Sequence, residues 1–180
     1  MIKKILPLVT ALTLSTQVIA HENEKHESNL YVVGKALYIL GDDVKHEETT
    51  LKGDGGIGFG IDLGYRIAYG FSVEYDFSYS INTVKEAEES ADSEYMTHAV
   101  DLVYTYPATK ELGVFAKVGY EYEKEKINDY GIDNSDHGTV FGAGLEYELT
   151  HQYSVVGEYE HSTIDGPRGD SIYLGIMINL

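Results

Sequence analysis

"FSVEYDFSYSI", residues 71 to 81, puts Phe71, Val73, Tyr75, Phe77, Tyr79 and Ile81 on one phase and Ser72, Glu74, Asp76, Ser78 and Ser80 on the other. Only a period of two sends successive side chains to opposite faces, so the stretch reads as an extended strand. Two surroundings suit such a strand. In a soluble sandwich the aromatic face is core and the acidic face meets water. In a membrane barrel the aromatic face meets lipid and the acidic face lines the lumen.

The same period recurs in seven further segments, starting at Leu30, Gly56, Tyr95, Gly113, Gly138, Tyr153 and Ser171. In "GIGFGIDLGYR" from Gly56, Ile57, Phe59, Ile61, Leu63 and Tyr65 share one side, and Gly58, Gly60, Asp62, Gly64 and Arg66 share the other. In "LYVVGKALYIL" from Leu30, Lys35 shares its side with Val33, Leu37 and Ile39. That side belongs inward, because a lysine facing mid-bilayer lipid costs roughly 2 to 4 kcal/mol. The connections alternate in length. Residues 41–54, 82–94 and 125–137 are long, polar and acidic, while 67–70, 107–112 and 149–153 are short. Long loops at one rim and tight turns at the other characterise a transmembrane barrel. A lipocalin-like barrel would turn its apolar phase inward, and consecutive hairpins leave little room for the crossovers of a Greek-key sandwich.

Residues 1–20, "MIKKILPLVTALTLSTQVIA", have the order of a cleaved signal peptide: two lysines, an apolar stretch, and Val18-Ile19-Ala20 before the cut. The apolar run is shorter than the roughly 20 residues of a membrane-spanning helix. Residues 21–29 read as a short periplasmic segment and 30–180 as the barrel. Without Lys3 and Lys4, 11 basic side chains face 30 acidic ones, a charge of −19. Such an excess excludes nucleic acid as a partner, since phosphates are met by basic side chains. The cysteine count of zero suits a fold that seals its edges by hydrogen bonding, and the 16 tyrosines suit interfacial girdles.

The eight hairpin-linked strands, together with "YLGIMINL" at the end of the chain, resemble the eight-stranded outer-membrane β-barrels of Gram-negative bacteria, the OmpA/OmpX-like or porin-family β-barrel domain. Tyr173, Gly175, Ile178 and Leu180 are similar to that family's C-terminal assembly signal, with Leu180 where the family usually carries an aromatic residue. The resemblance implies an all-β fold, an eight-stranded antiparallel up-and-down transmembrane barrel behind a signal peptide. It also implies residence in the bacterial outer membrane, the barrel-assembly machinery as a partner, and a lumen plugged by charged side chains. The inward phase offers Lys35, Asp62, Arg66, Glu74, Asp76, Asp101, Lys117, Glu121, Glu146 and Glu158 for such a network.

Three functional readings follow. The leading one is a non-enzymatic barrel with a structural or surface-interaction role and no cofactor. Its acidic loops meet lipopolysaccharide phosphates through bridging divalent cations. The second is a narrow cation-selective, porin-like channel. The third is a lipid A-modifying enzyme, suggested by "EHSTIDGP", where His161 and Thr163 share a face. In that segment Ser162 lies on the other face, and no Asp or Glu follows Asp170 to orient the histidine. His21, His26, His46 and His137 lie among acids without a spacing specific to one metal, so a metal site is left open.

Overall fold

The alternating segments form antiparallel strands in a computed structural model that describes residues 28–46, 49–86 and 89–180. The leader and residues 21–27 lie outside the described residues. In chain order the strands are β1 (Leu30–Ile39), β2 (Asp43–His46), β3 (Thr49–Gly53), β4 (Gly56–Ala68), β5 (Phe71–Glu86), β6 (Glu89–Pro107), β7 (Leu112–Ile127), β8 (Ile132–Thr150), β9 (Tyr153–Ser162) and β10 (Ser171–Asn179). Eight of them close a ring. β1 pairs with β4 on one side and with β10 on the other, and β5 pairs with β6. The β2–β3 hairpin is an addition, laid against the upper end of β5 through Leu51↔Glu86 and Gly53↔Val84.

The strands keep the two phases apart. On β5, Ser72, Glu74, Asp76, Ser78 and Ser80 are buried, Asp76 being 4% exposed, while Phe71 on the opposite face is 41% exposed. Polar side chains therefore fill the inside and apolar ones cover the outside, the reverse of a soluble barrel. Around the ring, β4 adds Ile57, Phe59 and Ile61 to the outer apolar surface, and β10 adds Ile172, Leu174 and Ile176.

Register fixes the width. From Lys35 the paired residues run through Gly60, Ser78, Thr97 and Glu123 to Asp136 on β8. The other way they run through Gly175 and Val156 to Glu146, ten residues further along the same strand. This stagger tilts the strands by roughly 40° and leaves an interior only wide enough for side chains. It also makes each register row climb toward the long-hairpin rim in the order β1, β4, β5, β6, β7, β8. At the short-turn rim, Tyr69 and Gly70 both have positive φ, 55° and 84°, as a two-residue hairpin turn requires.

All three expected long loops are largely strand: residues 41–54 hold the β2–β3 hairpin, and the other two prolong barrel strands. Pairing continues to Glu86↔Glu89 and to Ile127↔Ile132, so residues 82–94 and 125–137 extend β5 to β8 beyond the apolar surface. The period persists there, but the outward phase changes from apolar to charged, with Lys85, Glu94 and Lys124, and so no longer reads as a membrane strand. The inward phase stays apolar: Leu51, Val84, Ala91 and Ile127 pack together.

A closed ladder pairs every spanning backbone group within the barrel. Folded protein should therefore resist SDS at room temperature, shift in gel mobility only after boiling, and give a far-ultraviolet spectrum of strand. Mobility indifferent to boiling would contradict the closed ring.

Candidate functional site

The inward phases of six of the eight barrel strands bring charges together halfway along the lumen. Lys35 Nζ on β1 lies 2.8 Å from Asp62 Oδ1 and 2.6 Å from Asp76 Oδ2. Across the lumen, Lys117 Nζ on β7 lies 2.6 Å from Glu158 Oε1 and 2.7 Å from Glu160 Oε2, with Asp76 at 3.5 Å and Asp101 at 3.6 Å. Neither lysine side chain is exposed to solvent. Tyr173 joins the halves: its ring lies under the Lys35 ammonium at 4.2 Å, and its hydroxyl donates to Glu160 Oε1 at 3.1 Å. Gly142 gives Lys117 its room, since a Cβ there would come within 2.7 Å of the lysine Cε and of Glu158 Oε1.

Apolar layers flank this charged one. Toward the short-turn rim, Tyr31, Val33, Val103, Phe115, Val156 and Met177 pack inside the lumen. Toward the other rim, Leu37, Ile39, Tyr95 and Tyr173 do the same. The short-turn mouth carries a second polar group. Arg66 donates to Asn179 Oδ1 at 2.7 Å, stacks over the Tyr31 ring at 4.6 Å and stands 3.8 Å from Glu146. Beneath the charged layer, the Tyr31 hydroxyl donates to Glu74 Oε1 at 2.5 Å.

The residue that periodicity missed is Arg168. The β9–β10 connection, residues 163–170, folds inward and buries Gly166, Pro167 and Arg168. Arg168 Nη2 donates to Glu121 Oε1 at 2.7 Å, and its Nε lies 2.5 Å from Glu123 Oε2. Burial alone would lower the guanidinium pKa; Glu123 and Glu121 more than reverse this and raise it. Backbone bonds fix the strap, with the N–H groups of Gly41 and Asp42 donating to the carbonyls of Arg168 and Pro167. No period marks a loop residue. The available signal was that the chain has only two arginines, and the other, Arg66, belongs to the inward phase.

The ten inward residues named from the sequence thus lie at three levels. Lys35, Asp62, Asp76, Asp101, Lys117 and Glu158 share the middle, with Glu74 just below them. Arg66 and Glu146 lie at the short-turn mouth, and Glu121 meets Arg168 at the other. Tyr173 and Gly175 face the lumen side of β10, while Ile178 and Leu180 are on its outer side. His161 also has the carboxylate that the sequence reading denied it. Its Nδ1 lies 2.7 Å from Asp170 Oδ1, and the Tyr159 hydroxyl donates to the same carboxylate. Slight burial would raise the Asp170 pKa, but these two partners hold it below the usual carboxylate range. The hydroxyl needed for a nucleophile is engaged elsewhere, because Thr163 Oγ1 accepts the Thr139 backbone N–H at 2.8 Å. Among the described residues no cluster of three or more His, Asp or Glu side chains is arranged to hold a metal ion.

Residues 5–179 match the family model of the outer membrane protein beta-barrel domain. Solved structures share the fold at low identity. Neisserial surface protein A aligns with a TM-score of 0.61 at 15% identity, covering 85% of this chain and 98% of that one. The outer membrane protein OprG of Pseudomonas aeruginosa gives 0.61 at 14%, covering 85% and 94%. The attachment invasion locus protein Ail of Yersinia pestis gives 0.56 at 17%, covering 84% and 98%. No curated protein sequence matches significantly.

Replacing Lys117 by glutamate removes the partner of four acids and adds a fifth. The expected result is a barrel destabilised by roughly 3 to 5 kcal/mol, the cost of orphaning a buried charge. Urea unfolding in phospholipid vesicles, followed by gel mobility, measures it. An unchanged midpoint would remove Lys117 from any structural role in the lumen.

Proposed function

This chain belongs to the outer membrane protein β-barrel domain family, and from that premise we propose that it is a non-enzymatic, non-conducting barrel of the bacterial outer membrane whose rigid wall presents an acidic extracellular crown. The observation that supports the reading is that side chains meet inside the lumen at successive heights: Arg168 with Glu121 and Glu123, then apolar packing, then the Lys35 and Lys117 pairs, then apolar packing again. Ion flow needs a continuous hydrated path, and the apolar packing on either side of the lysines argues against one. No observation favours the channel or hydrolase readings over this one.

The long-hairpin rim is extracellular, following the rule that places short turns in the periplasm. Residues 41–54, 82–94 and 125–137 carry −3, −4 and −3 with histidine neutral. One structure of Yersinia pestis Ail holds the heparin analogue sucrose octasulfate. A crown of this negative charge disfavours so anionic a ligand here and favours cationic partners, or lipopolysaccharide phosphates bridged by divalent cations. At the other end of the chain, we assign Tyr173, Gly175, Ile178 and Leu180 to recognition by the barrel-assembly machinery. Ile178 and Leu180 stay on the outer side of β10, where such contact is open.

A planar-bilayer recording tests the plug. Wild type is expected to show no steady conductance, and Arg168→Ala is expected to remain closed, because the central lysine layer and the apolar layers persist beneath it. Steady cation conductance in wild type would overturn the closed-barrel reading.

A further inference from the structure

The outer wall carries a polar pair inside its apolar band. On β6 the outward phase runs Met96, His98, Val100, Leu102, Tyr104 and Tyr106, and beyond Met96 it turns charged at Glu94. At about 3.3 Å per residue and a tilt of about 40°, the run from Met96 to Tyr106 rises roughly 25 Å, the height of an outer-membrane barrel's apolar band. Asp101, which faces Lys117 in the central charged layer, stands midway along that run. His98 therefore faces hydrocarbon, between the middle of the band and its upper edge at Met96.

The surroundings of His98 satisfy half of its ring. The Tyr75 hydroxyl on β5 lies 2.6 Å from Nδ1, and Phe77 and Tyr122 flank the imidazole with centroids 5.2 and 6.4 Å away. Nothing among the described residues bonds the other nitrogen, Nε2. The ring is only partly buried, so it meets the lipid side, where acyl chains offer neither donor nor acceptor. His161, on the outward phase of β9, differs: its carboxylate partner Asp170 comes from the same chain.

We propose that two copies of this barrel associate side by side in the membrane through their β5–β7 faces, the His98 Nε2 of one copy hydrogen-bonded to the His98 Nε2 of the other. This rests on outer-membrane residence and goes beyond the single-barrel reading. Both copies insert with the same rim outward, so the twofold axis between them runs along the membrane normal and preserves depth. A group near that axis meets its own counterpart at its own height. A different protein would need a polar group at that depth by coincidence. The chemistry is also self-complementary, because the Tyr75 hydroxyl can donate to Nδ1 or accept from it. In one copy the hydroxyl donates and Nε2 keeps the ring proton; in the other Nδ1–H donates to the hydroxyl and Nε2 is bare. An N–H···N bond then forms with no net charge in lipid. Apolar surface gives barrels no drive to associate there, so such a bond and ring packing must supply it; the twofold sets Tyr75 and Phe77 of one copy opposite Tyr122 of the other.

The chain has no cysteine, so single thiols can report which faces meet. Val100→Cys on β6 and Ile176→Cys on β10 lie on opposite sides of the ring, both on the outer surface. Each barrel is folded into phosphatidylcholine vesicles and treated with a short bismaleimide, and covalent dimer is read on a denaturing gel. Val100→Cys should yield dimer well above Ile176→Cys. Adding His98→Phe, which keeps a ring, should lower that dimer roughly three- to tenfold, the worth of one hydrogen bond between membrane segments. His98→Gln should restore it, since an amide carries both donor and acceptor. Each variant should still shift in gel mobility on boiling; were His98→Phe not to fold, the comparison of the two cysteine positions would still decide. Equal cross-linking from both faces, monomer throughout, dimer unchanged by His98→Phe, or a loss with glutamine as large as with phenylalanine overturns the association. Failure of wild type to enter the vesicles overturns membrane residence, and this inference with it.

Discussion

The pairing of β1 with β10, from Tyr31↔Asn179 to Ile39↔Ser171, is the contact on which the rest depends. Without it the eight-stranded sheet has two open edges whose backbone groups face hydrocarbon, at several kcal/mol for each unsatisfied group. Closing the ring also imposes the ten-residue stagger, and the stagger fixes a lumen too narrow to stay empty. Everything inside the barrel is a response to that width. Arg66, the shared layer of Lys35 and Lys117, and Arg168 reach in at three heights, and Gly64 and Gly142 leave space for the Tyr31 ring and the Lys117 stem.

Charges in such a space hold the structure together only collectively. Burying an ion pair seldom gains much over an apolar packing of equal volume, whereas removing one partner is expensive. Lys117 reaches four carboxylates on three other strands, β5, β6 and β9, so its loss is felt around half of the ring. Arg168 extends the same logic to the long-hairpin mouth, where an inward strap rather than a strand supplies the cation.

The parts of this architecture legible in the sequence are those governed by a period of two. "FSVEYDFSYSI" and its seven counterparts mark the spanning strands because lipid requires one phase to be apolar. That signal fades where lipid ends, and so the extensions of β5 to β8 and the β2–β3 hairpin read as loops. The side of a residue follows from its phase, but its partner follows from stagger. Lys35 with Asp76, and Lys117 with Glu160, could not be matched before the register was known. Arg168 has no phase at all, and His161 meets Asp170 only because the β9–β10 connection returns antiparallel beside it.

The alternation itself explains why the lumen is charged rather than oily. An apolar lumen of equal volume would make both faces of every strand apolar, and the chain would then carry long hydrophobic runs. Such runs read as membrane-spanning helices when they approach about 18 to 20 residues. With Asp62, Asp76, Asp101 and Glu158 interrupting their strands, no segment after residue 20 reaches that length. The unfolded chain thereby stays compatible with water on its way to the outer membrane. The same acids then become buried, and Lys35 and Lys117 are needed to make that burial tolerable. The charge network thus follows from what the chain must be before it folds as well as from how it packs afterwards.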